Sequence, residues 1–282
     1  MEADAVRLRQ SRRPAPAVLA ALTTVTAALQ VPQADDIHVR LHRVRSQLAY
    51  AAASMAWHAA VERRAAHYYQ LAHDAALDGA DAAFAAGALA GAARHRLYAG
   101  RPAAALRLVQ RAQSTPGLEP RLRALLHTRA AWAYAAMGRG PEYGRESGRA
   151  TGTLEAAGPV SESPPWLRFF DETELSGTSG GRLLDLARQG SRGQAETAAI
   201  FTRAALENRA PGTLSHALDL IGLAECYWLT GDTRSAVPAT ERAVASALPL
   251  PATSPPLQHH MSALRAVAGL ESRDVMTRWL LR

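Results

Sequence analysis

The stretch PPWLRFFDETELSG, residues 164–177, sets three carboxylates, Asp171, Glu172 and Glu174, within four residues, directly behind Trp166, Phe169 and Phe170. Carboxylates beside an apolar wall are the ingredients of general acid–base chemistry, in which burial keeps one acid protonated while another stays ionised. His58 is a further proton carrier to consider with them. The same residues also suit a helix start. Pro164-Pro165 cannot continue a preceding helix but are tolerated in the first turn of a new one, where carboxylates meet the positive end of the helix dipole. Composition alone is thus explained without catalysis.

Other residues with chemical capacity are sparse. His38 and His42 have the i, i+4 spacing of a chelating pair, yet no cysteine, aspartate or second histidine pair accompanies them, so no metal is expected. His259 and His260 are adjacent and diverge on a helix. Cys226 is the only cysteine and lies mid-helix among apolar neighbours, which predicts an inert thiol and rules out an intrachain disulfide. All 32 basic residues are arginine, which removes Schiff-base, P-loop and general-base lysines. No glycine-rich fingerprint follows a strand, and no cofactor is expected.

The elements that must position these groups are helices. The chain has 282 residues, 48% hydrophobic and 20% charged, enough for a substantial core. Alanine, leucine and arginine recur at helical spacing and strand-like alternation is nearly absent. Three glycines, Gly100, Gly138 and Gly231, bring other residues into register. Seven residues before each stands Ala93, Ala131 or Ala224; twelve after stands Ala112, Ala150 or Ala243. Five after come Ala105, Tyr143 and Ala236, and Tyr134 and Tyr227 lie four before their glycines. Small side chains let two helices of a hairpin approach closely, and the glycine ends the first helix. An earlier unit carries Ala53, Ala65, Tyr69 and Ala72 with Val61-Glu62 in place of the glycine turn.

This pattern resembles the tetratricopeptide repeat, best in LIGLAECYWLTGDTRSAVPATERAV, where Leu220, Leu223, Ala224, Tyr227, Gly231, Ala236 and Ala243 fall at signature positions. The expected fold is all-α: a superhelical solenoid of antiparallel, tetratricopeptide-like helix pairs. Residues 1–45 form a basic tail and leading helices, and repeats occupy 46–150. Residues 151–165, rich in glycine, proline and serine, read as a linker, and 166–282 hold further repeats and a capping helix. Pro-Pro-Trp-Leu, the aromatic pair and Asp-Glu-x-Glu-Leu-x-Gly resemble the repeat domain of bacterial helix-turn-helix transcriptional regulators. ERRAAHYYQLAHDAALDGAD and LLHTRAAWAYAAMG are similar to the same domain, over roughly residues 45–245. The resemblance implies the sensor or interaction half of such a regulator. The leading residues show no helix–turn–recognition-helix unit, so DNA binding by this chain alone is not expected.

The net charge is +7, with Arg7, Arg9, Arg12, Arg13, Arg40, Arg43 and Arg45 clustered early. A solvated surface plus a basic tail accounts for that surplus, and an acidic partner or nucleic acid is the other reading. Ser11-Arg12-Arg13 before PAPAVLAALTTVTAALQV has the look of a secretory leader. Thr23, Thr24 and Thr26 interrupt the apolar run, and Val18, Leu22, Val25 and Leu29 form a helical stripe instead. No stretch approaches the roughly 20 apolar residues of a membrane span. A cytoplasmic protein with no membrane association is expected.

In a solenoid the first helices of successive units line a concave groove. Register places Tyr50, Trp57, His58, Arg94, Tyr98, Trp132, Glu172, Glu225 and Trp228 there. Aromatics with arginines suit a peptide, its carboxylate or a small molecule. The expected function is a non-enzymatic regulatory or adaptor protein binding a peptide, small molecule or partner protein, with a homodimer admitted. The alternative is an enzyme of natural-product metabolism that uses the groove as its chamber, with Asp171, Glu172, Glu174 and His58 as its acid–base groups.

Overall fold

A computed structural model describes residues 16–190 and 192–281. The arginine-rich stretch with Arg7, Arg9, Arg12 and Arg13 lies outside the described residues. Among the described residues the fold is all-helical, with thirteen α-helices, two short 3-10 segments and no strand. In chain order they are α1 Pro16–Ala28, α2 Asp35–His58, α3 Glu62–Asp78, α4 Ala82–Tyr98, α5 Pro102–Gln113, α6 Pro120–Ala136 and α7 Gly140–Glu155. There follow α8 Glu172–Ala187, α9 Arg192–Leu206, α10 Leu214–Thr230, α11 Thr233–Ala247, α12 Pro255–Val267 and α13 Arg273–Leu280.

From α2 to α11 the helices alternate between an inner and an outer row. Each packs on the next, except that α7 and α8 share few contacts. In the inner row α2, α4, α6, α8, α10 and α12 touch in that order. The alanines aligned by sequence lie where the hairpins cross: Ala93, Ala105, Ala112, Ala150, Ala224, Ala236 and Ala243 are all fully buried. No larger side chain fits there without prising the helices apart.

Five turns repeat one hydrogen-bond pattern. A left-handed residue donates back to the third residue before it, and its successor reaches the fifth residue before itself, a Schellman closure of the helix end. Gly100, Gly138 and Gly231 take the left-handed position in three of them, at φ of 68°, 71° and 76°. In the other two it is held by Ala60 at φ 58° and Ala80 at φ 48°, so the earliest hairpin does have the turn, at the residue before Val61. A side chain there is strained.

The segment read as a linker begins inside α7 and continues as an irregular crossing pinned by Arg121 of α6. Arg121 donates from Nε to Ser163 Oγ (2.9 Å), from Nη1 to the Phe170 carbonyl (2.8 Å) and from Nη2 to the Gly158 carbonyl (2.7 Å). Leu167 and Phe170 enter the core built by α4, α5 and α6, and Trp166 stands edge-on to Phe84 of α4. The crossing thus carries the chain from α7 back over the first-half core to the start of α8.

At the far end α12 packs on α10 and also reaches α4, where His259 and Tyr98 meet edge to face with centroids 5.7 Å apart. That contact joins two non-adjacent members of the inner row, α4 and α12, directly.

Candidate functional site

The inner row holds a recess of about 80 Å3, open at its mouth and lined from α4, α6, α8, α10 and α12, with Arg209 from the loop before α10. Three rings form its spine. Tyr98 lies 5.3 Å from Trp57 of α2 and stands edge-on to Trp132 of α6 at 4.8 Å. Arginines cover the ring faces. The Arg94 guanidinium lies 4.5 Å from the centre of Trp57, Arg182 lies 3.8 Å from the centre of Trp132, and Arg129 is 5.9 Å from the same ring. Such cation–π contacts use the flat face of the guanidinium and leave its in-plane N–H groups free to donate.

The ion pairs around the recess are unevenly shared. Arg209 bridges Glu174 and Asp219, both at 2.9 Å. Gly177 of α8 permits that bridge, because a Cβ there would stand 2.8 Å from Asp219 Oδ1 and 2.9 Å from Arg209 Nη2. Arg188 grips Glu225 with two bonds, at 2.5 and 2.7 Å, and Asp185 at 2.6 Å. Arg182 meets the other Asp185 oxygen at 2.7 Å, poorly aligned for a hydrogen bond. Arg94 and Arg129 have neither an ion-pair partner nor a hydrogen bond among the described residues, although Arg129 is only 5% exposed.

Burial sets the protonation states. It pushes the Asp219 carboxyl up to about 6 against the opposing pull of Arg209. It raises Glu225 in spite of Arg188. Burial, with Arg94 beside it, pushes the Arg129 guanidinium down to about 10, so it stays charged at neutral pH. His260 is held well below its ordinary 6.5 by burial and by the cations nearby, and its Nδ1 is buried without a partner among the described residues. Burial drives the Cys226 thiol to about 12, far from a thiolate.

The structure separates the three opening carboxylates. Asp171 caps α8 by accepting from the Glu174 amide (2.8 Å), Glu172 is exposed on the first turn, and Glu174 lines the recess. Two residues along a helix is more than half a turn, so one faces out when the other faces in. Of the other candidates, Arg94, Tyr98 and Trp132 line the recess and Trp57 stands behind Arg94. His58 lies against Trp57 at 4.6 Å. Tyr50 stacks edge-on to Tyr69 and Phe84, outside the lining. Glu225 is fully buried with Arg188, and Trp228 donates to Thr240 Oγ1 (2.9 Å) while its ring covers Gly269. His38 and Asp78 approach different nitrogens of His42, at 3.2 and 3.5 Å, so they do not converge on a metal position. No group of three or more histidine, cysteine or carboxylate side chains suits a metal among the described residues.

Sequence reasoning missed Arg129, Arg182, Arg209, Asp219 and His260. A signal for Arg129 existed: it stands three residues before Trp132, on the same helix face. Comparison with protein-family models finds no match, and comparison with curated proteins finds none.

Proposed function

We propose that the chain is a non-enzymatic regulatory or adaptor protein, a superhelical solenoid of antiparallel, tetratricopeptide-like helix pairs that encloses a small molecule on its concave side. The observation that carries this reading is the return of α12 to α4 at the Tyr98–His259 contact. An arc bridged from α4 to α12 leaves a short recess, open on one side, in place of a long channel for an extended peptide. Its lining joins aromatic walls to a few convergent polar groups, as small-molecule sites do. The resemblance to the repeat domain of bacterial transcriptional regulators supports the same role, a cytoplasmic sensor whose ligand state is read by a partner. No helix among the described residues is long and apolar enough to cross a membrane.

One observation favours the enzymatic alternative. Asp219, with its pKa near 6, and Glu174 share Arg209 in the recess, and a carboxyl poised near neutrality is suited to proton transfer.

Native mass spectrometry of the protein taken from its own cells, followed by denaturation and identification of what is released, tests the proposal. A stoichiometric small molecule, lost in Trp132→Ala, is the expected result. A bare chain holding a partner protein instead would overturn the enclosed-ligand reading. Conversion of the released compound by the purified protein would establish the enzyme.

A further inference from the structure

The chamber contains more cation than its own carboxylates neutralise. Arg94, Arg129, Arg182 and Arg209 line it with two carboxylates, Glu174 and Asp219, and Asp185, Arg188 and Glu225 continue the ion-pair network behind Arg182, so that five guanidinium groups meet four carboxylates in all. Every one of those carboxylates has an arginine at ion-pair distance. The surplus charge is therefore localised on Arg94 and Arg129, the two without a partner among the described residues. A buried, unpaired guanidinium is a costly thing to keep in a folded chain. Glu174 and the nearby tyrosines relieve part of that cost at a distance, but the direct neighbours offer ring faces, an arrangement that leaves the donor edges unused.

We propose that Arg94 and Arg129 form the anchor for a monovalent anion, the carboxylate of a compact ligand with an apolar body. This rests on the reading of the recess as a ligand chamber. A planar carboxylate matches the in-plane donor fork of a guanidinium, and two such forks satisfy both of its oxygens. One negative charge balances the surplus; a phosphate dianion overshoots it. Tyr98 and Leu218 supply apolar wall for the body, and the neutral His260 on α12 offers one further hydrogen-bonding nitrogen.

The test is a titration of the full chain with three probes of one shape, phenylacetate, 2-phenylethanol and 2-phenylethylammonium, with phenyl phosphate as a fourth. Binding is followed by NMR at the indole N–H of Trp132 and the Nε–H of Arg129, with melting temperature measured in parallel. Phenylacetate is expected to shift both signals and raise the melting temperature, with the alcohol and the ammonium at least about tenfold weaker. Arg129→Met and Arg94→Gln should each weaken phenylacetate by roughly 10- to 100-fold. Arg129→Met should also melt no lower than the parent when no probe is present, because it removes an uncompensated buried charge; a merely structural arginine would melt lower on removal. Should Arg129→Met fail to fold, Arg94→Gln, at a half-buried position, carries the same test.

Equal binding of the alcohol would overturn the anion anchor and leave the chamber standing. Stronger binding of phenyl phosphate would overturn the single-charge assignment. If none of the probes moves the Trp132 signal, the anchor and the chamber fall together.

Discussion

Two arginines of α6, Arg121 and Arg129, stand eight residues apart, and both are buried, at 2% and 5% exposure. Arg121 spends its donors on Ser163, Phe170 and Gly158 and thereby fixes the crossing between α7 and α8. Arg129 has no acceptor among the described residues and lies beside the Trp132 ring. Burial alone therefore says little about why a charge is kept; the fate of its donors says more. A satisfied guanidinium is a fastening. An unsatisfied one keeps its donors open, and that is the observation the anion-anchor proposal rests on.

The largest effect should come from Arg121. Replacement by methionine strands two carbonyls and a hydroxyl in the interior, and denaturant unfolding should show a loss of about 3–5 kcal/mol. A loss below about 1 kcal/mol would erase the contrast between the two arginines.

Asp219 gives the next effect. Its ordinary value is 3.8 and its folded value about 6, so ionisation is disfavoured in the native state. The stability it contributes is complete below its unfolded value and is lost as pH rises through about 6. Between those limits the stability of the parent relative to Asp219→Asn should fall by about 2–3 kcal/mol with rising pH. Denaturant melts of both proteins at several pH values measure this, and parallel curves would mean that Arg209 keeps Asp219 ionised throughout.

Arg129→Met should do the opposite of Arg121→Met, leaving stability unchanged or raising it by up to about 2 kcal/mol in the same assay. The smallest effect sharpens that sign. Ala80→Gly relieves a left-handed alanine and should gain about 0.5–1 kcal/mol, net of the extra freedom glycine has when unfolded. It should leave ligand response intact, whereas Arg129→Met trades response for stability. If both variants gain stability and both keep the response, Arg129 is not an anchor.

The hairpin register was readable because its cause is local. Alanines at fixed distances from a turn residue report a close helix crossing, and Ala93, Ala131 and Ala224 are buried where that rule puts them. The turn itself was half readable: glycine announces a left-handed residue, but Ala60 and Ala80 take the same conformation without announcing it. Candidate groove residues were legible to about one helical face. Arg94, Tyr98 and Trp132 stand in the recess lining, whereas Glu172 faces out where Glu174 lines it, two residues along the helix and so on the other face. Arg209, which enters from a loop, has no helical spacing to reveal it. The meeting of α12 with α4 had no local signature at all, because it depends on the accumulated rotation of every pair between them.

That meeting also alters the mechanics of the molecule. A row of hairpins held only by neighbours behaves as a spring, with bending strain spread over all its joints. Clasping the twelfth helix to the fourth takes that compliance away from the joints between them and concentrates it at the clasp, where a tyrosine and a histidine meet. On the ligand-binding reading proposed above, a partner that touched α12 alone would be placed to sense a change at that clasp.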